Sequence, residues 1–296
     1  MTAPAPANTS PTDDAPTIEL TPASQFTLDE LVAAYNQTRV DYIVPMPMNT
    51  ARLREYVRNY DVDLERSFVA RAGDQILGLA MLGVRPGHTW VTRLGIIPVQ
   101  RRCGAGQMLM EELVAHSRRL KVSYVTLDVI QNNEPAHRLF LKLGFHEVRE
   151  LMVIRRPPGP LPDDVPVPSY TSQILDHRQA AELLDQRRSA PSWLTENRSL
   201  INAGNLAALR AELGSGGRGW LVYQKTIFQL GRLVLQTEAG DPHAVCLALI
   251  HALHTRHPAL DTKSENLPVQ DQHWPAMQEL GYLESFRRIE MHLDPS

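Results

Sequence analysis

The sequence predicts an α/β protein of the α+β type, in which helices flank a mixed central sheet and this arrangement occurs twice in tandem. Residues 94–130 read as a strand, a helix and a strand, an order that implies a parallel crossover. Residues 270–293 repeat the helix and strand order of residues 133–156. The length of 296 residues also exceeds that of one ordinary domain, roughly 100 to 200 residues.

The first part of the chain predicts two helices. Residues 27–39 and 50–60 have apolar side chains at helical spacing, and each segment starts with a threonine, Thr27 or Thr50, that could cap the helix. An apolar loop broken by prolines, residues 41–49, separates them. This loop is a candidate wall for a substrate pocket, or a simple connection between helices.

The rest of the first unit predicts three consecutive strands, followed by alternating helices and strands. Residues 67–84 and 88–97 predict three strands of an antiparallel meander. A helix follows from Gly104, and residues 123–130 form a strand rich in β-branched side chains. Residues 133–144 predict a second helix that stops at a glycine, and residues 145–155 are expected to close the first unit as its final strand.

Prolines divide the chain. They concentrate near the N-terminus and in residues 155–170, where they disfavour helix and sheet interiors. The prediction is a disordered tail at residues 1–19, a first domain at 20–154, a proline-rich linker at 155–169 and a second domain at 170–296. The matching helix and strand near the two domain ends indicate an internal duplication, although a chance likeness of two such units is the alternative.

Composition excludes several classes of function. The net charge of -3 offers no global basic field for nucleic acid or a membrane surface. No apolar run reaches the ~18 residues that span a bilayer, and the N-terminus lacks the features of an export signal. The two cysteines have no metal-like spacing, so neither a metal site nor a disulfide framework is expected. A cytoplasmic protein fits these features.

Residues 101–106, Arg-Arg-Cys-Gly-Ala-Gly, lie between a strand and a helix. A helix N-terminus presents free N–H groups and partial positive charge, and glycines would let a phosphate approach the backbone closely. The same glycines would also serve a tight turn. Two glycines alone do not separate these interpretations.

The surroundings of this loop resemble the GCN5-related N-acetyltransferase (GNAT) family. The family's acetyl-CoA loop has Arg or Gln, two residues, Gly, one residue, then Gly or Ala, which Arg101 to Gly106 fill. A second family pattern has Asn, Ala, Leu with an aromatic residue, and Gly-Phe, and it is met by Asn133, Ala136, Leu139, Phe140, Gly144 and Phe145. The resemblance covers most of the first unit and implies the acyl-CoA N-acyltransferase fold.

The resemblance also implies how acetyl-CoA would be held. The strands around Leu94 and Tyr124 should splay, so that the backbone N–H groups of Leu94 and Ile96 can bind the pantetheine arm and polarise the thioester carbonyl. The expected cofactor-binding residues are Leu94, Ile96, Arg101, Arg102, Cys103, Gly104, Ala105, Gly106, Asn133 and Phe140. A surface role is an equal alternative for the two arginines, a helix cap is an alternative for Asn133, and Cys103 is expected to be incidental to the loop.

The chemistry departs from the family pattern at two positions. The family's usual tyrosine proton donor is replaced by Phe140, and the carboxylate often found two residues before Leu94 is replaced by Thr92. Asp128, near the end of the second splayed strand, is the candidate catalytic base. A structural carboxylate is the alternative, which the sequence slightly favours. Tyr42, Asp41 and His88 are weaker candidates near the acceptor.

In the second unit, residues 237–242 lack the glycine pattern and place Glu238 and Asp241 where phosphates would lie, so this half is expected not to bind CoA. The leading hypothesis is an acetyl-CoA-dependent N-acetyltransferase with one site per chain, acting on a small-molecule or peptide amine, as a monomer or homodimer. The alternatives are a non-catalytic acyl-CoA sensor and a purely structural tandem protein.

Overall fold

A computed structural model of the chain describes residues 17–296. Its twelve strands form one mixed sheet in the order β1-β2-β3-β4-β5-β12-β6-β11-β10-β9-β8-β7. The first half comprises β1 (Ile18–Pro22), α1 (Leu28–Gln37), α2 (Thr50–Asn59), β2 (Val62–Ala72), β3 (Gln75–Arg85), β4 (His88–Ile96), α3 (Ala105–Arg119), β5 (Tyr124–Ile130), α4 (Glu134–Lys142) and β6 (His146–Arg156). The second half comprises β7 (Tyr170–Leu175), α5 (His177–Leu184), α6 (Asn197–Ala203), β8 (Leu206–Leu213), β9 (Arg218–Lys225), β10 (Gln229–Ala239), α7 (Pro242–Arg256), β11 (Asp261–Pro268), α8 (Trp274–Glu279) and β12 (Leu283–Leu293).

The predicted helix caps are half right. Thr27 caps α1, and its hydroxyl accepts a hydrogen bond from the Glu30 N–H while Glu30 bonds back to Thr27. At α2 the prediction of Thr50 is wrong by one residue, because the Asn49 side chain accepts the bond from the Arg52 N–H. Asparagine is at least as good an N-cap as threonine, so the cap lies one residue earlier than predicted and the helix starts at Thr50 itself.

The meander and the crossover are confirmed. Strands β2, β3 and β4 pair antiparallel in sequence order. After α3 crosses over, β5 pairs parallel with β4 only from His88 opposite Tyr124 to Val91 opposite Leu127. Beyond Val91 the two strands separate, which leaves the last part of β4 with an edge that β5 does not cover.

The closing strands are exchanged between the halves, and the prediction that residues 145–155 close the first unit is wrong. Strand β6 pairs with β11 of the second half, while β12 inserts between β5 and β6. Both are eleven-residue strands that follow a helix ending at a glycine, so local pattern does not distinguish their partners. The exchange places Arg288 of β12 beside the Asp128 strand, opposite Ile130.

Strands β1 and β6 each cross one of the predicted domain boundaries. Strand β1 starts at Ile18, inside the predicted tail, and pairs with β2. The rest of that tail, residues 1–16, lies outside the described part of the chain. Strand β6 extends to Arg156, so the predicted linker overlaps the strand by two residues. Because the sheet is continuous, a boundary near residue 154 divides the sequence but not the sheet.

Helices cover both faces of the sheet. On one face of the first half, α3 and α4 bury Leu109, Leu113 and Phe140 against β5. On the other face, α1 and α2 bury Leu31 and Leu53 with side chains of β3 and β4. In the second half α7 and α8 pack against strands that include β6, and α5 packs on the opposite face. The apolar helix stripes predicted from the sequence therefore face the sheet.

Trp193 of the second half fixes the two halves together. Its indole Nε1–H donates to the Tyr60 carbonyl at 3.0 Å, and its ring stacks on Trp90 with centroids 5.7 Å apart. The Arg85 guanidinium lies over the same ring and forms ion pairs with Asp61 and Glu196, both at 2.8 Å. These contacts hold the second half against the start of β4.

Candidate functional site

The loop before α3 ends in an uncapped helix N-terminus. Gly104 has φ +92°, a left-handed conformation that glycine adopts at little cost. Residues 17–296 provide no side chain that caps the first turn of α3, and no acidic residue lies in that turn. The first N–H groups of this fifteen-residue helix therefore remain available to an anion.

The candidate residues of the loop do not all face the same way. Arg101, Arg102, Gly104 and Gly106 line one cavity, which we call the loop cavity. Arg101 is held by the Asp41 carboxylate through two hydrogen bonds of 2.7 and 2.6 Å. Cys103 is exposed and its thiol donates to the Gln100 carbonyl at 3.0 Å, whereas the Ala105 side chain is buried in the core. Neither of the last two lines the loop cavity, so only their backbone could contribute there.

The free part of β4 presents a backbone donor toward the gap left by β5. The Ile97 N–H donates to the Leu77 carbonyl of β3 at 2.8 Å. Because successive backbone groups of a strand point to opposite edges, the Ile96 N–H faces the gap. Gly95 lets α1 come close, since a Cβ atom there would lie 2.4 Å from the Thr38 hydroxyl. The Arg39 guanidinium donates to the Leu94 carbonyl at 2.8 Å.

The structure brings the two sequence motifs into one place. The loop cavity has a volume of about 640 Å³. Its lining combines the end of β4, the loop, the start of α4 and the end of α1, including Thr38, Leu94, Ile96, Arg102, Gly106, Asn133, Ala136 and Leu139. Asn133 is the N-cap residue of α4 but its side chain makes no capping bond. Its amide is therefore not engaged in capping the helix.

Three further cavities continue from the loop cavity into the interface between the halves. The junction cavity, about 90 Å³, shares Tyr42, Leu94 and Asn133 with the loop cavity. The central cavity, about 170 Å³, shares Asp128 and Thr92 with the junction cavity. The basic cavity, about 370 Å³, adjoins the central cavity at Tyr56, Tyr60, Arg93, Glu265 and Arg288. Asp128 therefore lies between the loop cavity and the basic cavity.

The environment of Asp128 suits a proton acceptor. Burial raises the pKa of its carboxyl group to about 6, against weaker opposing effects of Arg288 and the Asn266 amide. That amide donates to the Asp128 carboxylate at 3.3 Å. A carboxylate with a pKa near 6 is mostly ionised at pH 7 yet basic enough to take a proton from an amine.

The other residues considered for proton transfer differ in whether they line the cavities and in whether another side chain binds them. Phe140 is buried beside Phe145 and contributes to the junction cavity, so it occupies the position of the family's tyrosine without a donor. Thr92 is hydrogen-bonded to the Tyr56 hydroxyl. Tyr42 lines the loop, junction and central cavities. Asp41 is bound to Arg101, and His88 is bound to Glu196 at 2.8 Å, so neither faces Asp128.

Sequence reasoning missed four charged residues of this interface. Arg93 on β4, Arg232 on β10, Glu265 on β11 and Arg288 on β12 line the inner cavities. They carry no motif and lie up to 195 positions apart, from Arg93 to Arg288. The exchange of β12 brings Arg288 next to β5 of the first half. Local sequence patterns do not predict this pairing.

In the second half, the loop that corresponds to residues 101–106 ends in a capped helix N-terminus. The Asp241 carboxylate caps α7 by accepting hydrogen bonds from the His243 and Ala244 N–H groups at 3.4 and 3.0 Å. Glu238 lies 3.7 Å from both Arg210 and Arg218. The groups that an anion would bind at α7 are thus taken by the protein's own carboxylate.

Two features of the described chain bear on other classes of site. Among the helices within residues 17–296, none has the length and apolar character needed to cross a bilayer. The same residues contain no grouping of three or more His, Cys, Asp or Glu side chains that could hold a metal ion.

Residues 30–145 match the model of the Acetyltransferase (GNAT) family. No curated protein matches the sequence. Solved structures match the fold over nearly the whole chain. A GCN5-related N-acetyltransferase from Sphaerobacter thermophilus has 18% identity and a TM-score of 0.66, with 94% of this chain and 96% of that chain covered.

Two further structures have the same architecture. A tandem GNAT protein from the clavulanic acid biosynthesis pathway has 14% identity and a TM-score of 0.61, covering 95% of this chain and 99% of that one. A GCN5-related N-acetyltransferase from Anabaena variabilis has 14% identity and a TM-score of 0.59, covering 95% and 73%. The fold is therefore that of an acyl-CoA N-acyltransferase in tandem. Residues 30–145 belong to the GNAT family.

Proposed function

We propose that the protein is an acetyl-CoA-dependent N-acetyltransferase with one active site per chain. The observation that carries this proposal is the continuous series of cavities from the loop of α3 to Asp128. One end offers the groups that bind a phosphate and the middle offers a carboxylate with a pKa near neutrality. The family match supports acyl transfer as the reaction class.

The residues present fit acetyl-CoA. The uncapped N–H groups of α3 and the nearby Arg102 would bind the pyrophosphate, and the gap-facing N–H of Ile96 would bind the pantetheine arm or the acyl carbonyl. Leu94, Asn133 and Ala136 line the path between them. Gly106 lines the loop cavity, and a Cβ added there would contact Ile96 and Leu139, two other lining residues, at 3.5 Å or more, so glycine keeps this part of the cavity free of a side chain. Bound acetyl-CoA would supply the thioester carbonyl carbon that the amine attacks.

Asp128 would accept the proton that the attacking amine loses. The transfer forms a bond between nitrogen and the acyl carbon and breaks the bond between that carbon and sulfur, and the departing thiolate needs a proton. Tyr42 is our candidate donor, because it lines both the loop cavity and the junction cavity. Backbone donors on β4 would stabilise the charge that develops on the acyl oxygen. Phe140 keeps this region apolar and supplies no proton.

The second half would shape the acceptor side rather than bind a second cofactor. Its α7 N-terminus is capped by Asp241, while its strands β11 and β12 bring Glu265 and Arg288 to the inner cavities. Acceptors of the family are small-molecule or peptide amines, and we infer an amine small enough to enter the interface between the halves. A monomer or a homodimer is compatible with this arrangement, because both halves of the site come from one chain.

Release of free thiol from acetyl-CoA across a panel of amines tests the proposal. We expect thiol release that depends on an amine and falls at least tenfold in Tyr42→Phe. A matched control is Tyr170→Phe, since Tyr170 bonds to His251 in the second half, away from these cavities. Stabilisation by acetyl-CoA without thiol release for any amine would favour the sensor hypothesis, which the replacement of the usual tyrosine by Phe140 supports.

A further inference from the structure

The basic cavity carries an excess of positive charge. It is lined by five cationic side chains, Arg52, Arg93, Arg232, Lys263 and Arg288, and by two carboxylates, Glu55 and Glu265. An excess of this kind in a partly enclosed space attracts anions, because low-dielectric walls reduce screening by water. The cavity lies on the side of Asp128 away from the loop cavity.

Glu265 is engaged with two of these cations. Its carboxylate lies 2.8 Å from the Arg288 guanidinium and 3.3 Å from the Lys263 amine. Burial would raise the pKa of Glu265, but these two cations outweigh it and hold the pKa at about 2. Glu265 is therefore ionised at every ordinary pH, and its charge is shared between Arg288 and Lys263.

Arg93 and Arg232 have only neutral partners. Arg93 donates to the Tyr35 hydroxyl at 2.9 Å and lies over the Tyr56 ring at 4.0 Å. Arg232 donates to the Tyr60 hydroxyl at 2.9 Å and to the side-chain amide oxygen Oε1 of Gln224 at 3.1 Å. Within residues 17–296 neither arginine forms an ion pair with a carboxylate, and the Nε of Arg93 is buried without a hydrogen-bond partner. Two guanidinium groups therefore line the cavity without an ion pair of their own, and Glu265 acts on Arg93 only through its more distant charge.

The backbone directs both arginines into this space in the same way. Arg93 has φ +57° and Arg232 has φ +54°, and each lies at an irregularity in the pairing of its strand. A bulge of this kind redirects a side chain out of the regular alternation, and the left-handed conformation is unfavourable for an arginine. Strands β4 and β10 precede the crossover helices of their respective halves, so the two halves contribute one arginine each from corresponding strands.

We propose that the acceptor is a small amine that also carries an anionic group, a carboxylate or a phosphate, and that this group binds between Arg93 and Arg232. This inference rests on the proposed acetyltransferase activity. With the anion in the basic cavity, the amine reaches through the central cavity to Asp128, since the two cavities share Arg93, Tyr56 and Tyr60. Guanidinium groups suit both anions, because they donate paired hydrogen bonds to two oxygens.

Kinetics with matched pairs of acceptors test this proposal. Each pair consists of an amine with a carboxylate or phosphate and the same amine with that group amidated or removed. In Arg232→Gln we expect KM for the anionic member to rise at least tenfold with kcat within threefold, and KM for the neutral member to stay unchanged. Arg232→Lys should restore part of the difference, which separates charge from folding. Arg178→Gln is the control, since Arg178 is an exposed arginine on α5.

The outcomes distinguish this inference from the proposed function. Neutral amines could be turned over as well as their anionic counterparts, with no change in Arg232→Gln. That result would overturn the anionic acceptor and leave the proposed acetyltransferase activity intact.

If no amine is turned over, calorimetry with inorganic phosphate at constant ionic strength still decides whether the anion site exists. Binding that weakens at least tenfold in Arg232→Gln but not in Arg178→Gln supports the site, and equal binding in all three proteins overturns it. A lower KM for either the carboxylate-bearing or the phosphate-bearing amines identifies which anionic group the acceptor carries.

Discussion

The N-termini of α3 and α7 follow corresponding strands of the two halves, but they differ in whether a side chain caps their first N–H groups. At α3 the first turn has no side-chain cap and lines a large cavity with Arg102 and Gly106. At α7 the Asp241 carboxylate occupies the same kind of N–H groups. Of these two helix starts, the one at α3 therefore leaves its first N–H groups available to an external anion, whereas those of α7 are occupied by the protein's own carboxylate.

The two carboxylates at the interface form a second contrast. Asp128 lies four residues after the first paired residue of β5, and Glu265 lies four residues after that of β11. Burial dominates at Asp128 and raises its pKa to about 6, whereas Arg288 and Lys263 overcome burial at Glu265 and lower its pKa to about 2. Carboxylates with pKa values pushed in opposite directions take different roles, which supports our proposal of Asp128 as the base and of Glu265 as a fixed negative charge.

The largest expected effect comes from removing the proposed base. Asp128→Asn should lower kcat by ~10²- to 10⁴-fold, because the amine proton then has no buried acceptor. In the unchanged protein, kcat/KM should rise with pH through an acidic limb near pH 6, where Asp128 ionises. Steady-state kinetics across pH check both points. Asp74→Asn, at an exposed carboxylate, is the control, and an unaltered acidic limb in Asp128→Asn would show that another group is the base.

The two carboxylates should affect stability with opposite signs. The folded pKa of Asp128 lies above its ordinary 3.8, so its ionisation opposes folding as pH rises from about 4 through 6. Asp128→Asn should therefore stabilise the protein at pH 8, by up to about 3 kcal/mol, and have little effect at pH 4. Denaturant unfolding at the two pH values measures this difference.

Glu265 supplies the matched comparison. Its folded pKa lies below its ordinary 4.5, so it contributes stability above about pH 4.5 that is lost as pH falls through 2. Glu265→Gln should destabilise the protein at neutral pH, by an amount reduced by solvent screening because 35% of its side chain is exposed. Effects of the same sign for both variants would contradict the contrast between the two carboxylates.

Glycine substitutions separate binding from folding. Gly106→Val should weaken acetyl-CoA binding at least tenfold, or ~1.4 kcal/mol, because the added side chain enters the loop cavity while its Cβ meets neighbours at ordinary distances. Gly240→Ala should instead impair folding and leave acetyl-CoA binding unchanged. Gly240 has φ +83°, and its Cβ would lie 2.6 Å from the Gly217 Cα, so folding is impaired while the binding loop is untouched. Calorimetry and thermal unfolding of both variants make the comparison.

The smallest expected effect concerns the cap of α7. Asp241→Ala should cost about 1 kcal/mol of stability, since two N–H groups lose their acceptor. It should leave the affinity for acetyl-CoA unchanged, because Glu238 and the lack of the glycine pattern remain. Thermal unfolding with and without acetyl-CoA measures both quantities. A gain of a second acetyl-CoA site in this variant would mean that the cap alone keeps the second half inactive.

Part of this structure was predictable from local sequence. The loop of residues 101–106 and the helix from Asn133 carry motifs whose elements follow from helix caps, glycine stops and apolar periodicity. The exchange of β6 and β12 was not predictable, because strand pairing is non-local and the two strands follow similar helices. Arg93, Arg232 and Glu265 were missed for the same reason, since only the assembled interface brings them together.

The number of acetyl-CoA molecules bound per chain tests the central claim most directly. If the open N-terminus of α3 binds the cofactor and the capped N-terminus of α7 does not, isothermal titration calorimetry should give one site per chain. That site should be weakened in Gly106→Val and retained in Asp241→Ala. Two sites per chain, or no binding to the unaltered protein, would contradict the account.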